Sequence, residues 1–242
     1  MRDLSQGMFV SRRTRQRGLS LVEMMVGVAI GLIVVAAAAM LTATQLADNR
    51  RLLLETQVQQ DLRATADIIV REVRRSGYWA RSRQGVWSAN ALPVRNAYTG
   101  VTLPAATEIR MAYSDAREAT ELLEDNAVGA SESRGFRLNG GVVETLLGAG
   151  GWQALTDGAT LRVNELRIQI NPVDTVRAMC PTDCIGVGGP EACWPTLTVR
   201  AVTVFIDGVA VSDAAVRRTV RSSVRLRNDL LTVDAVTGGC PP

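Results

Sequence analysis

Residues 17–32 read RGLSLVEMMVGVAIGL, and they set one carboxylate, Glu23, at the head of an otherwise uncharged stretch. From Met24 to Ala47 no side chain is charged, and Met24 to Leu41 is an unbroken run of 18 residues without a polar side chain. At ~1.5 Å per residue, such a run wound as a helix covers a hydrocarbon core of ~30 Å. The pattern predicts a membrane-spanning helix that carries an acid in its first turn. An acid inside such a helix costs ~2.5 to 3.5 kcal/mol on insertion scales and normally faces a partner. Glu23 therefore needs a counter-charge.

Upstream, residues 1–18 hold Arg2, Arg12, Arg13, Arg15 and Arg17 against the single acid Asp3, a local charge of +4 within a chain whose net charge is +3. A basic head before an apolar run stays cytoplasmic while the following chain crosses. Three interpretations fit the run itself. It can be a secretory signal peptide with a cleavage site among Ala36 to Ala39, a plain single-pass anchor, or a helix whose acid serves assembly. The first is opposed by Glu23 and by a helical pattern that continues past the cleavage site; the second leaves Glu23 unexplained. Ser20 and Glu23 also make an S-x-x-E capping pattern, which is compatible with pairing. Gly27 and Gly31 form a GxxxG pair that lets helices approach closely in lipid.

The stretch Arg17 to Val26, R-G-L-S-L-V-E-M-M-V, resembles the processing site of type IV prepilins and type II secretion pseudopilins. The resemblance implies a leader, residues 1–18, that a prepilin peptidase removes between Gly18 and Leu19 on the cytoplasmic side. It further implies N-methylation of Leu19, with Glu23 fifth in the mature chain. The new amine of one subunit would then neutralise Glu23 of a neighbour, a pairing strengthened by low dielectric.

Downstream, Leu54, Val58, Leu62, Ile69 and Val73 recur at steps of four and seven, with Asp61, Arg63, Asp67, Arg71 and Glu72 on other faces. The stripe stops at Ser76 and Gly77, after Arg71, Arg74 and Arg75. One helix over 19–75 is predicted, a spanning half of about 19–47 and an amphipathic half of about 48–75, ~85 Å in all. Residues 57–80, QVQQDLRATADIIVREVRRSGYWA, resemble the PilW-type minor pilins, whose helix ends in D-L-R-x-A-x-x-x-I followed by Gly-Tyr. Here Asp61, Leu62, Arg63, Ile69, Gly77 and Tyr78 match, with the alanine one register out. Val224 to Leu230 resembles that family's closing strand.

This resemblance implies a minor pilin that joins other minor pilins, primes assembly on the pilus assembly platform and sits at the filament tip. It would be held first in the inner membrane by a single pass with its C-terminus in the periplasm. A J-type minor pseudopilin of a type II secretion system shares these features. An exported or membrane-anchored periplasmic enzyme or binding protein is the reading of another class.

The remaining residues, 76–242, are predicted as a periplasmic β-rich head. Strands are expected at 107–113, 135–147 with Asn139 and Gly140 as a hairpin turn, 165–170, 196–206 and 219–227; Asp207 and Gly208 mark a further turn. The fold class is α+β: a long pilin-like helix packed on one face of an antiparallel sheet. Cys180, Cys184, Cys193 and Cys240 are even in number and lie in loop-like sequence, which suits disulfides in an oxidising compartment. A zinc thiolate site is the rival, and it lacks a second tight pair. Four cysteines allow three pairings, and bonding Cys240 to one of the other three would tie down the tail.

The chain has no histidine, and all 27 of its basic residues are arginine. The commonest general base and metal ligand are thus absent, and the chain is expected to be non-enzymatic, with no cofactor and no metal. Glu121, Glu124, Asp125 and Asn126 offer calcium-type oxygens at a spacing that matches no fixed ligand order. Arg221, Arg225 and Arg227 are expected to share one strand face. Without aromatics beside them, that face suits solvent or protein contact better than nucleic acid.

Overall fold

A computed structural model describes residues 18, 20–85, 94–116, 124–177, 179–180, 183–184, 189 and 191–232. The chain divides into two compact units, residues 1–50 and 51–242, and helix α1 (Leu21–Arg75) runs across the division. It starts two residues after Leu19. In the first unit every described residue is exposed, the apolar Leu21, Met24, Ile33 and Met40 included.

In the second unit, α1 is amphipathic. Val58, Leu62, Thr65, Ala66, Ile69 and Val73 are buried, and Leu54 packs at the margin of the same core. The helix ends where Gly77 adopts a left-handed φ of 75° and its N–H donates to the Ala112 carbonyl at 2.9 Å. Asn228 Nδ2 donates to the Ser76 carbonyl at 2.9 Å and Asn96 Nδ2 to the Gly77 carbonyl at 2.8 Å, so distant segments satisfy the frayed end.

Two antiparallel sheets follow, rather than the one expected. Strands β1 (Thr102–Ala105), β2 (Glu108–Ala112), β3 (Ser133–Asn139), β4 (Val142–Leu147) and β5 (Trp152–Ala154) form a meander. Strands β6 (Leu161–Arg177), β7 (Thr196–Ala210), β8 (Arg217–Arg225) and β9 (Leu230–Thr232) form the second sheet, in which β8 and β9 both pair with β7. Backbone bonds from Val163 N–H to Gly141 O (2.8 Å) and from Ile168 N–H to Ala106 O (3.0 Å) stitch the sheets together. Ile109, Phe136 and Val143 from the first sheet and Leu166, Val204 and Ile206 from the second join the helix stripe in one core. At Asn164 the β6–β7 register shifts, so that Leu161 and Val163 before it and Leu166 and Ile168 after it all reach that core.

Four expectations are corrected. The hairpin turn is Gly140–Gly141, not Asn139–Gly140: Asn139 pairs with Val142, and the two glycines supply φ of 59° and 84°. A two-residue primed turn needs φ > 0 at both positions, which a glycine pair meets without steric cost. Asp207 and Gly208 form no turn and lie inside β7, opposite Glu165 and Val163 on one side and Thr219 and Arg218 on the other. A Cβ on Gly208 would meet Leu161 Cδ1 at 3.0 Å and Leu62 Cδ2 at 3.2 Å, so this glycine serves close packing. The segment Val224 to Leu230 is not one strand, because β8 stops at Arg225 and β9 starts at Leu230. Arg227 therefore lies off the strand that carries Arg221 and Arg225.

Candidate assembly site

At the head of α1, Gly18 and Ser20 are exposed, and the Met24 N–H donates to the Ser20 carbonyl at 3.1 Å to close the first turn. Glu23 follows in that turn, exposed, and among the described residues no cation pairs with it. Leu19 and residues 1–17 lie outside the described residues. A Cβ at Gly18, Gly27 or Gly31 would meet nothing within 4 Å, so packing inside the chain imposes no glycine at these positions. The helix is long and apolar enough to cross a membrane, and none of its most apolar window is buried in the chain. Such a surface calls for lipid or neighbouring helices around it.

Polar contacts that the sequence did not signal tie the amphipathic half of α1 to the second sheet and brace that sheet. Glu55 pairs with Arg218 of β8, bridging helix and second sheet. Asp207, fully buried, accepts from Arg217 Nε at 2.6 Å and from Asn164 Nδ2 at 3.3 Å. The Asp207 carboxylate holds the Arg217 guanidinium above the ordinary arginine range, first through that hydrogen bond and then through its charge.

Beyond the helix end, a buried hub gathers Tyr98, Ser114, Glu124 and Glu132. The Tyr98 hydroxyl lies 2.7 Å from Glu124 Oε1 and 2.8 Å from Glu132 Oε1, bridging the two carboxyls. Glu124 also accepts from the Ser114 hydroxyl and from the Asn126 N–H (2.8 Å), and Glu132 accepts from the Gly129 N–H (2.8 Å). Burial, then the hydrogen bonds to Glu124 and Glu132, push the Tyr98 phenol far above its ordinary range. Burial acts to raise Glu124 as well, but the hydrogen bonds from Ser114, Tyr98 and the Asn126 backbone outweigh it and hold this carboxyl below its usual range. Glu124 is thus engaged by protein donors, and Asp125 Oδ1 accepts from the Ala127 N–H at 2.9 Å. Among the described residues no group of three or more potential ligands converges on a metal position; Glu121 lies outside them.

Cys184 and Cys193 are joined by a disulfide, and Cys180 is also disulfide-bonded; Cys240 lies outside the described residues. The hub had no periodic signal, because its members come from four separate segments. Two sequence features touch it: Glu124, one of the residues with calcium-type oxygens, which is instead engaged by protein donors, and the Gly77–Tyr78 pair, whose Tyr78 carbonyl accepts from the Ser114 N–H at 2.9 Å.

Two comparisons bear on identity. A profile for the prokaryotic N-terminal methylation motif matches residues 13–39, the stretch that holds Gly18, Leu19 and Glu23. A second profile, prepilin peptidase-dependent protein B, matches residues 51–226, which takes in the amphipathic half of α1 and nearly all of both sheets. No curated protein and no solved structure matches the chain. With an N-methylation motif at the head of an exposed apolar helix and a family match over most of its length, the chain belongs to the prepilin peptidase-dependent protein B family of pilin-type subunits.

Proposed function

We propose that this chain is a PilW-type minor pilin, a structural and non-catalytic subunit that joins other minor pilins to prime type IV pilus assembly and takes the filament tip. The observation that carries the reading is the coincidence of the methylation motif over residues 13–39 with a helix whose described residues are all exposed at its head. Cleavage between Gly18 and Leu19 creates an amine four residues before Glu23. In a stack of helices that amine neutralises the Glu23 of a neighbouring subunit, and the exposed apolar flanks become the helix–helix interface. Before assembly the same helix anchors the subunit in the inner membrane, its basic head in the cytoplasm and its head domain in the periplasm.

The test is the mass of the mature amino terminus, measured on protein purified from its native membrane. N-methylated Leu19 is expected. A mature chain that starts near Met40 would mark a signal peptide and overturn the reading.

A further inference from the structure

The family match and the helix do not account for a cleft at the C-terminal end of α1. Its volume is ≈ 690 Å³, and four guanidiniums line it: Arg74 and Arg75 from the last turn of α1, Arg134 from β3, and Arg227 from the segment after β8. Among the described residues the carboxylates nearby are few. Asp115 lines the cleft, and Glu72 lies 3.4 Å from Arg75 while accepting from the Tyr113 hydroxyl at 3.0 Å. A shallower cleft of ≈ 450 Å³ continues past Arg74 and Arg227 to Arg225, which is paired with Asp229 at 3.1 Å.

Two of the four cations are committed. Arg75 and Arg134 lie over the Tyr113 ring at 4.6 and 4.9 Å from its centroid, and Arg134 also donates to the Tyr113 hydroxyl and to the Ser133 carbonyl. Packing of this kind fixes the direction of a guanidinium and lessens the rotamer freedom that binding would otherwise remove. The other two are not committed. Arg74 and Arg227 are exposed, and among the described residues neither has a hydrogen-bond or ion-pair partner. Cations in a last helical turn complement the helix dipole, which accounts for Arg74 and Arg75 but not for Arg134 and Arg227, brought in from elsewhere.

We propose that this arginine-lined cleft binds the carboxylates of an acidic peptide segment. Guanidinium forks match carboxylates bidentately, and two connected lobes suit a segment bearing more than one acid. Nucleic acid fits less well. The Tyr113 ring carries two guanidiniums, which leaves Tyr78, 46% exposed, as the open ring at the cleft, and the basic lobes are short for a phosphate track. That the segment is presented by a neighbouring subunit rests on the assembly reading; the binding of an acidic peptide does not.

The test uses the full chain in non-ionic detergent micelles and fluorescein-labelled hexaglutamate, read by anisotropy at about 50 mM salt, where charge contacts are weakly screened. Saturable binding is expected, weakened about tenfold or more by Arg74→Ala with Arg227→Ala, since two charge contacts are lost together. Both side chains are exposed and, among the described residues, unpaired, so the variant is expected to keep the parent far-UV spectrum and melting curve. Arg63→Ala with Arg83→Ala, exposed arginines outside the cleft, should leave affinity unchanged. The proposal is overturned by absent hexaglutamate binding, by an equal loss in the control pair, or by charge-matched oligothymidylate that binds as tightly with the same dependence on Arg74 and Arg227. None of these results alters the amino-terminal mass, so the two readings fail separately.

Discussion

Replacing Tyr98 with phenylalanine removes one oxygen and keeps the ring, so the experiment isolates the hub from the core packing around it. Tyr98 is fully buried and clusters with Trp79 and Ala112, and the retained ring leaves that contact intact. The lost hydroxyl deprives Glu124 and Glu132 of a donor each shares, while the Ser114 hydroxyl and the Asn126 and Gly129 amides stay in place. A hydrogen bond to a buried charged group is worth about 1.5 to 3 kcal/mol, so Tyr98→Phe should destabilise the second unit by about 2 to 3 kcal/mol at neutral pH. For a unit of this size the corresponding fall in Tm is about 4 to 12 °C. Urea unfolding of the full chain in detergent, followed by tryptophan fluorescence, measures the loss, and hydrogen exchange over residues 124–132 localises it.

The pH dependence carries the sign. The folded Tyr98 phenol is raised, so its contribution is complete below about pH 10, where the unfolded phenol titrates, and declines as pH rises beyond that. The folded Glu124 carboxyl is lowered, so its contribution is present above the ordinary carboxylate range and is lost as pH falls through the folded value. The gap between parent and variant should therefore shrink above about pH 10. A variant within about 0.5 kcal/mol of the parent at pH 7, or a gap that stays constant up to pH ~11.5, would refute the hub as a stabilising device.

Gly208→Ala sets two effects against each other: a strand alanine normally gains about 0.5 to 1 kcal/mol over glycine, whereas a Cβ here would lie 3.2 Å from the Arg162 carbonyl and crowd Leu62 and Leu161. Overpacking should prevail by about 1 to 3 kcal/mol, seen as an earlier urea midpoint, and a stabilised variant would contradict the close approach of β7 to α1. Glu23→Ala should insert in the membrane at normal abundance yet fail to enter the assembled filament, as judged by blotting sheared pili; normal incorporation would remove the charge-pairing role. Non-reducing peptide mapping should recover Cys184 linked to Cys193 and, by count, Cys180 linked to Cys240; any other pairing or free thiols would contradict this.

What the sequence by itself determined is periodic or contiguous. The apolar run after Glu23, the stripe from Leu54 to Val73, the helix end at Gly77 and most strands were readable because 3.6-residue and two-residue spacings record which face is buried. What only the tertiary structure decided is relational. Asp207–Gly208 reads as a turn from composition, yet strands on both sides of β7 and the helix above it leave no room for one, and Arg217 makes a buried acid tolerable there. The split into two sheets, the Tyr98 hub and the arginine cleft depend on residues far apart in the chain. Their energies come from desolvation and convergence of charge, which leave no mark on local spacing.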